Sequence, residues 1–215
     1  MLRNTRFGRC GVLVAVTAAA GAANAQIIAD SVAEYSSVQG QANWYYGYVA
    51  PATGPGFIEM TQFLSGRWYV EDGTYWTRLS DVSGHPNGPV SGGGRTPTEH
   101  WSVRRWISEV NGEINIAGTL AKENTGGGDG TMGLVLVDGV EVWSKALGPG
   151  DNIGVNYSVS AIVSTGDTID FVIAPRATDW YDATTFTGTI GVVPEPATIA
   201  VLGFGIFALL KRRKA

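Results

Sequence analysis

Between residues 26 and 193 the chain is a succession of short β-type runs, each cut off by Gly, Pro, Asn or Asp. That rhythm, with helical periodicity hard to find, is what most limits the folds open to it. Glu113–Lys122 sets Ile114, Ile116, Gly118 and Leu120 on one side and Asn115, Ala117 and Thr119 on the other, the period of two of a half-buried strand. Leu134–Val137 and Val140–Trp143 flank Asp138-Gly139, a pair that suits a type I′ turn and so predicts a hairpin. Val155–Val163 and Thr168–Ala174, joined by Ser164-Thr165-Gly166-Asp167, read as another strand pair, and Thr184–Val192 as a last strand. Upstream, Trp44–Val49, Phe57–Gln62, Arg67–Val70 and Tyr75–Leu79 read as strands too. The expected fold is all-β, an antiparallel β-sandwich over residues 26–192. The polar stretch from Ser80 to Thr98, with Gly84, Gly88, Gly92–Gly94 and three prolines, is expected to be a surface loop, where sites on rigid sandwiches usually sit.

Both ends differ from this body. Arg3, Arg6 and Arg9 precede an apolar run, Gly11–Ala23, and Ala23-Asn24-Ala25 offers a small-x-small cleavage site. Residues 1–25 therefore read as a signal helix removed by signal peptidase, with the mature chain starting at Gln26. Cys10, the sole cysteine, leaves with it, so the mature protein has no thiolate nucleophile, cysteine metal ligand or disulfide. At the other end Val193-Pro194-Glu195-Pro196 is followed by the uncharged run 197–210 and then by Lys211-Arg212-Arg213-Lys214. As a helix, that run spans roughly 21 Å, short of the ~30 Å hydrocarbon core, with basic side chains free to snorkel. The basic end points to the cytoplasm by the positive-inside rule. In its order of Pro-Glu-Pro, apolar helix and basic end, the segment 193–215 resembles the PEP-CTERM sorting tail. The resemblance implies export by a bacterium that makes exopolysaccharide and processing by an exosortase-type membrane protease. It implies an inner-membrane-anchored precursor whose product goes to the cell surface or extracellular matrix.

Charge separates the ends from the body. Three of the 15 bases lie in the first nine residues and four in the last five, leaving eight against 18 acids and a net charge near −10. Such a surface argues against nucleic acid and anionic lipid as partners and could attract divalent cations. About 168 residues suffice for one domain with a sizeable core.

The body also carries a second resemblance. Trp76, His85-Pro86, Val103-Arg104-Arg105-Trp106, Gly118-Thr119-Leu120-Ala121-Lys122, Gly127-Gly128-Asp129-Gly130, Val137-Asp138-Gly139 and Gly166-Asp167 occur in an order similar to a galactose-binding-like jelly-roll module. That resemblance implies a noncatalytic jelly-roll sandwich of the kind often taken to bind sugar. It assigns no ligand residue.

All seven tryptophans and all eight tyrosines lie in the body, where they either fill the core or stack on sugar faces. Asn43-Trp44-Tyr45-Tyr46-Gly47-Tyr48 is the densest cluster; alternation puts Trp44, Tyr46 and Tyr48 on one face and Tyr45 on the other, and one of these sets is expected to be exposed as a binding face. In Val103–Trp106, Val103 is expected inward, carrying Arg105 with it to a carboxylate partner, with bidentate binding of an acidic sugar as the alternative, while Arg104, on the other side with Trp106, is a candidate ligand residue. His85 and His100 are the two histidines; His85 is a candidate ligand residue in the polar loop, and the chain lacks HExxH, His-x-His and GxSxG. Asn124–Gly130 reads as a flexible turn, with Asp129 a weak candidate ligand for a structural calcium and no other cofactor expected. The expected function is that of an exported noncatalytic protein binding glycan at the cell surface or in the matrix, with exopolysaccharide the candidate partner. A small carbohydrate-active lyase or hydrolase, needing two facing carboxylates, and a purely structural matrix protein are the alternatives.

Overall fold

A computed structural model describes residues 26–54 and 56–193. The signal segment with Ala23 and Ala25, the motif residues Pro194, Glu195 and Pro196, and the apolar run 197–210 lie outside the described residues. Among the described residues no helix is long and apolar enough to cross a membrane.

Among the described residues, fifteen strands and one short 3-10 turn (Gln41–Asn43) make up the regular structure. In chain order they are β1 (Gln26–Asp30), β2 (Trp44–Val49), β3 (Phe57–Glu59), β4 (Gln62–Leu64), β5 (Arg67–Tyr69), β6 (Arg78–Leu79), β7 (Ser83–His85) and β8 (Trp101–Ile107). They continue with β9 (Gly112–Lys122), β10 (Thr131–Val137), β11 (Val140–Leu147), β12 (Val155–Val163), β13 (Thr168–Pro175), β14 (Thr184–Phe186) and β15 (Thr189–Val192). They form two antiparallel sheets, packed as the expected sandwich. One runs β1-β15-β9-β14-β7-β6-β5-β4 with β12 also paired to β9; the other runs β11-β10-β13-β8-β2-β3. The core between them is aromatic and aliphatic: Trp44 lies 5.9 Å from Phe171, and Phe171 meets Phe186 edge-on at 5.8 Å. Ile114, Ile116 and Leu120 of β9 are fully buried, as the alternation required.

The Asp138-Gly139 turn joins β10 to β11 with φ of +49° and +76°, the two positive values of a type I′ turn. Four expectations change. β12 and β13 do not pair with each other: β12 joins β9, and β13 lies between β10 and β8 in the other sheet. The last strand breaks at Thr187-Gly188, where a side chain on Gly188 would collide with the Phe171 ring, so β14 and β15 pair separately with β9. Phe57–Gln62 is likewise two strands, β3 and the start of β4, in different sheets. The stretch from Ser80 to Thr98 is no plain surface loop, because Ser83–His85 is a sheet strand and Asn87 is fully buried.

β1 was not anticipated as a strand. It begins at Gln26, which pairs with Val192, so the expected mature N-terminus and the start of the tail leave the sheet side by side.

Candidate functional site

Four neighbouring strands bring their loops together at one end of the larger sheet. Across β5, β6, β7 and β14, Trp68, Leu79, Gly84 and Thr184 stand in one row. That row faces the other sheet, because a Cβ on Gly84 would lie 2.8 Å from Ile173 Cδ1. Strand alternation sends the adjacent row, Tyr69, Arg78 and His85, to the opposite face. There a cavity of about 450 Å³ opens, lined by Trp76, Arg78, His85, Gly92, Gly93, Asn124, Asp179, Trp180, Tyr181 and Ala183. A second hollow of about 300 Å³ adjoins it, sharing Arg78, Asn124 and Ala183 and adding Arg67, Ser80, Ser83 and Glu123.

The walls are held by polar side chains that use their hydrogen-bonding capacity on the backbone. Asn87 accepts from Trp76 N at 2.9 Å and donates to Thr96 O at 2.9 Å and Thr98 O at 2.7 Å. Trp76 Nε1 donates to Gly92 O at 3.0 Å, fixing the indole. Its ring lies 5.3 Å from His85 and 4.6 Å from the Arg95 guanidinium carbon. Asp179 takes Gly88 N on Oδ2 and Gly92 N on Oδ1, at 3.0 and 3.1 Å. Trp180 and Tyr181 follow it and are 49 and 47 % exposed, although both are large aromatics. Tyr181 sits at φ +61°, a left-handed conformation that a bulky residue keeps only when its surroundings impose it. Those surroundings are the glycine run: a Cβ on Gly126 would lie 2.7 Å from the Tyr181 ring, and one on Gly128 would collide with Trp180 O.

Beneath Tyr181 lies a fully buried ion pair. Lys122 Nζ donates to Asp182 Oδ1 at 2.9 Å and to Tyr181 O at 2.6 Å. Burial pushes the Asp182 carboxyl up to about 7 despite the pull of Lys122. His85 is buried and neutral: desolvation, with Arg78 beside it, lowers its pKa to about 3. Its Nδ1 lies 2.6 Å from Pro86 O, which places the proton there and leaves Nε2 as an acceptor. Exposed aromatic faces beside arginine, asparagine and imidazole groups can stack on an apolar ring face and hydrogen-bond the hydroxyls around it.

The sequence candidates fall in different places. Trp44 and Tyr46 are completely buried, Trp44 Nε1 donating to Glu34 and Tyr46 stacking on Trp68 at 5.7 Å, so this face of β2 belongs to the core and offers no binding strip. Tyr48 is half-buried against His100, 4.7 Å between rings, on the same strand. Arg104 points into the sandwich, donating to Phe186 O at 2.9 Å and Ser80 O at 2.7 Å, and burial lowers its pKa. Arg105 does pair with a carboxylate, bidentately with Asp170 at 2.7 and 2.8 Å, but from the outer face. The direction was misjudged because Val103 is buried on that outer face, where the Phe57 ring covers the neighbouring Gly47 and lies 4.2 Å from the Arg105 guanidinium. Asp129 accepts Ala177 N at 2.7 Å and Thr178 Oγ1 at 2.8 Å. Burial works against its charge, yet the bonds from Thr178 and Ala177 outweigh it and hold the carboxyl below its usual range. Asp129 thus anchors the segment leading to Trp180. Among the described residues no three His, Cys, Asp or Glu side chains are grouped to hold a metal ion.

Of the five candidate ligand residues, His85 alone reaches the cavity. Arg78, Trp180 and Tyr181 are absent from the sequence candidates, and Trp76 and Asn124 enter the sequence reading only through the module resemblance and a flexible turn. The signal available for them was Asp179-Trp180-Tyr181-Asp182, adjacent aromatics flanked by acids between two strands.

Residues 192–214 match the PEP-CTERM protein-sorting motif. The chain is therefore an exported protein whose precursor is membrane-anchored and is processed by an exosortase. No curated protein matches it.

Proposed function

We propose that this exported protein is a noncatalytic glycan-binding module and that the cavity between Trp76 and Trp180-Tyr181 is its binding site. One observation carries the reading: two large aromatics are left about half exposed at the rim, on a backbone held by a glycine run and by Asp129 and Asp179. Exposed aromatics fixed in this way cost stability, and a ligand with an apolar ring face and a polar edge offsets that cost. The sorting motif supports a surface or matrix destination, where polysaccharide is the abundant polymer.

The noncatalytic reading is supported by the carboxylates around the cavity. Asp179 has both oxygens tied to backbone N–H groups, and Glu123 stands in the adjoining hollow. Glycoside hydrolysis asks for two free carboxyl groups across one cleft. His85 is also a poor general acid, since it stays neutral down to about pH 3.

The test is titration of the full-length protein in detergent against a polysaccharide panel that includes the producer's own exopolysaccharide. Binding is expected to be saturable and to weaken by about tenfold or more in Trp180→Ala, the ~1.4 kcal/mol of one lost stacking contact. Silence on every polymer would leave a structural matrix role, and shortening of any polymer would make the protein an enzyme.

A further inference from the structure

The charge around the cavity runs against the charge of the molecule. Only eight basic residues stand among 18 acids between residues 26 and 193, yet three of the eight gather here. Arg78 lines both hollows, Arg67 lines the second, and Arg95 stacks on the Trp76 ring. The ion pairs among the described residues are Arg105–Asp170 and Lys122–Asp182, so none of these three guanidinium groups has a carboxylate within 4 Å. Nor does any of them donate a side-chain hydrogen bond within the described protein, and Arg95 Nη1 is buried without a partner.

Arginine is ordinarily paired when it is withdrawn from water, because a desolvated charge without a partner is costly. Arg78 is partly buried, and burial followed by repulsion from Arg67 keeps its pKa below the ordinary arginine value, with Tyr69 and Glu123 pulling the other way. It remains a cation at every physiological pH. Two acids line the hollows: Asp179, whose oxygens are taken by Gly88 N and Gly92 N, and the exposed Glu123, and neither stands within ion-pair distance of these arginines.

We infer that the site takes an acidic glycan, with a sugar carboxylate received by Arg78 between the two hollows while the ring of that or a neighbouring sugar stacks on the aromatic wall. This rests on the glycan-binding reading above. A guanidinium meets a carboxylate through two parallel N–H···O bonds, which fixes the orientation of the sugar as well as its charge. The acidic surface elsewhere does not prevent approach, since charges beyond about 8 Å are screened at physiological salt. It does disfavour a long polyanion lying flat on the molecule, and so favours recognition of one or a few acidic sugars in the cavity.

The full-length protein in detergent, at about 0.15 M salt, would be titrated with polygalacturonate and hyaluronate. The same polymers with their carboxyls reduced to alcohols, and single-stranded DNA as a non-glycan polyanion, complete the set. The expected result is binding of at least one acidic polymer about tenfold or more tighter than its reduced form, the margin of one charge-assisted pair. In Arg78→Gln the preference should vanish while weak binding to the reduced polymer persists. Arg67→Gln, on an exposed side chain whose loss does not threaten folding, should cut the preference by a smaller factor. Equal affinity for acidic and reduced forms would overturn the inference and leave glycan binding standing. Binding to none of the glycans would remove both. DNA bound as tightly as the glycans would make the cluster a general anion patch and overturn the acidic-sugar assignment.

Discussion

His85 is neutral in the fold because burial beside the Trp76 ring strips it of water and Arg78 stands next to it, and these outweigh the bond to Pro86 O, which favours the protonated ring. Its folded pKa of about 3 is below the ordinary 6.5, so the unfolded chain binds the extra proton first as the pH falls. The stability this residue contributes is complete above pH 6.5 and is lost progressively as the pH drops towards 3. His100 is lowered by burial and adds in the same direction. Asp182 acts oppositely: its raised carboxyl weakens the fold as pH rises from 3.8 to about 7. The clean measurement is therefore the difference between wild type and His85→Asn in denaturant midpoint across pH 4–7. Wild type should lose up to about 1.4 kcal/mol per pH unit relative to the variant as the solution is acidified; parallel curves would show that His85 is accessible to protons in the fold. Lys122 gives a second residue-scale prediction. Lys122→Met leaves the Asp182 carboxyl and Tyr181 O without their buried donor and should cost about 3–5 kcal/mol at neutral pH, whereas adding Asp182→Leu should restore much of it. Calorimetric melting of the two variants distinguishes them, and equal losses would mean the pair is not coupled.

At the scale of elements, glycines set where strands turn and where they break. Gly139 lies at φ +76° with open space where a side chain would project, so Gly139→Ala should cost only the backbone strain, about 1 kcal/mol. Gly188 has ordinary φ but faces the Phe171 ring, so Gly188→Ala must displace a core aromatic and should cost about 3 kcal/mol or more. Chemical denaturation of both variants checks the order, and a larger loss at Gly139 would reverse the assignment. The same contrast explains what could be read early. The β10–β11 hairpin was legible because its turn is local: Asp-Gly fixes the backbone within two residues. The break between β14 and β15 was not, because Thr184–Val192 alternates normally and the obstacle, Phe171, comes from the opposite sheet. Likewise β12 and β13 have the turn of a hairpin between them, and only the register with β9 and β8 sends them to different sheets.

For the whole molecule, export and site occupy separate parts of the chain. The sandwich hands its C-terminus to the sorting motif from β15, beside β1 at one edge of the larger sheet, while the cavity lies across β14, β7 and β6. The proposed glycan capture and membrane processing should therefore be independent. Replacing Glu195 with Ala is expected to leave unprocessed precursor in the membrane fraction with its affinity for polysaccharide intact; cell fractionation with a pull-down measures both, and loss of binding would contradict the separation.

What the sequence by itself determined is what short stretches settle: the sorting motif, the all-β character, the hairpin turn and the inward face of β9. Each depends on residues within a few positions of one another, through alternation, turn chemistry or a linear signal. The tertiary structure alone decided which aromatics stay dry. Trp44 and Trp180 are equally apolar as residue types, yet one is sealed by Phe171 from the facing sheet and the other is held at a rim by glycines some 50 residues away. It also decided that Arg104 props the core, that Arg105 finds Asp170, and that Arg78 is left without a carboxylate partner. Burial and charge pairing are properties of neighbours brought together by sheet order, and sheet order is set by contacts far apart in the chain.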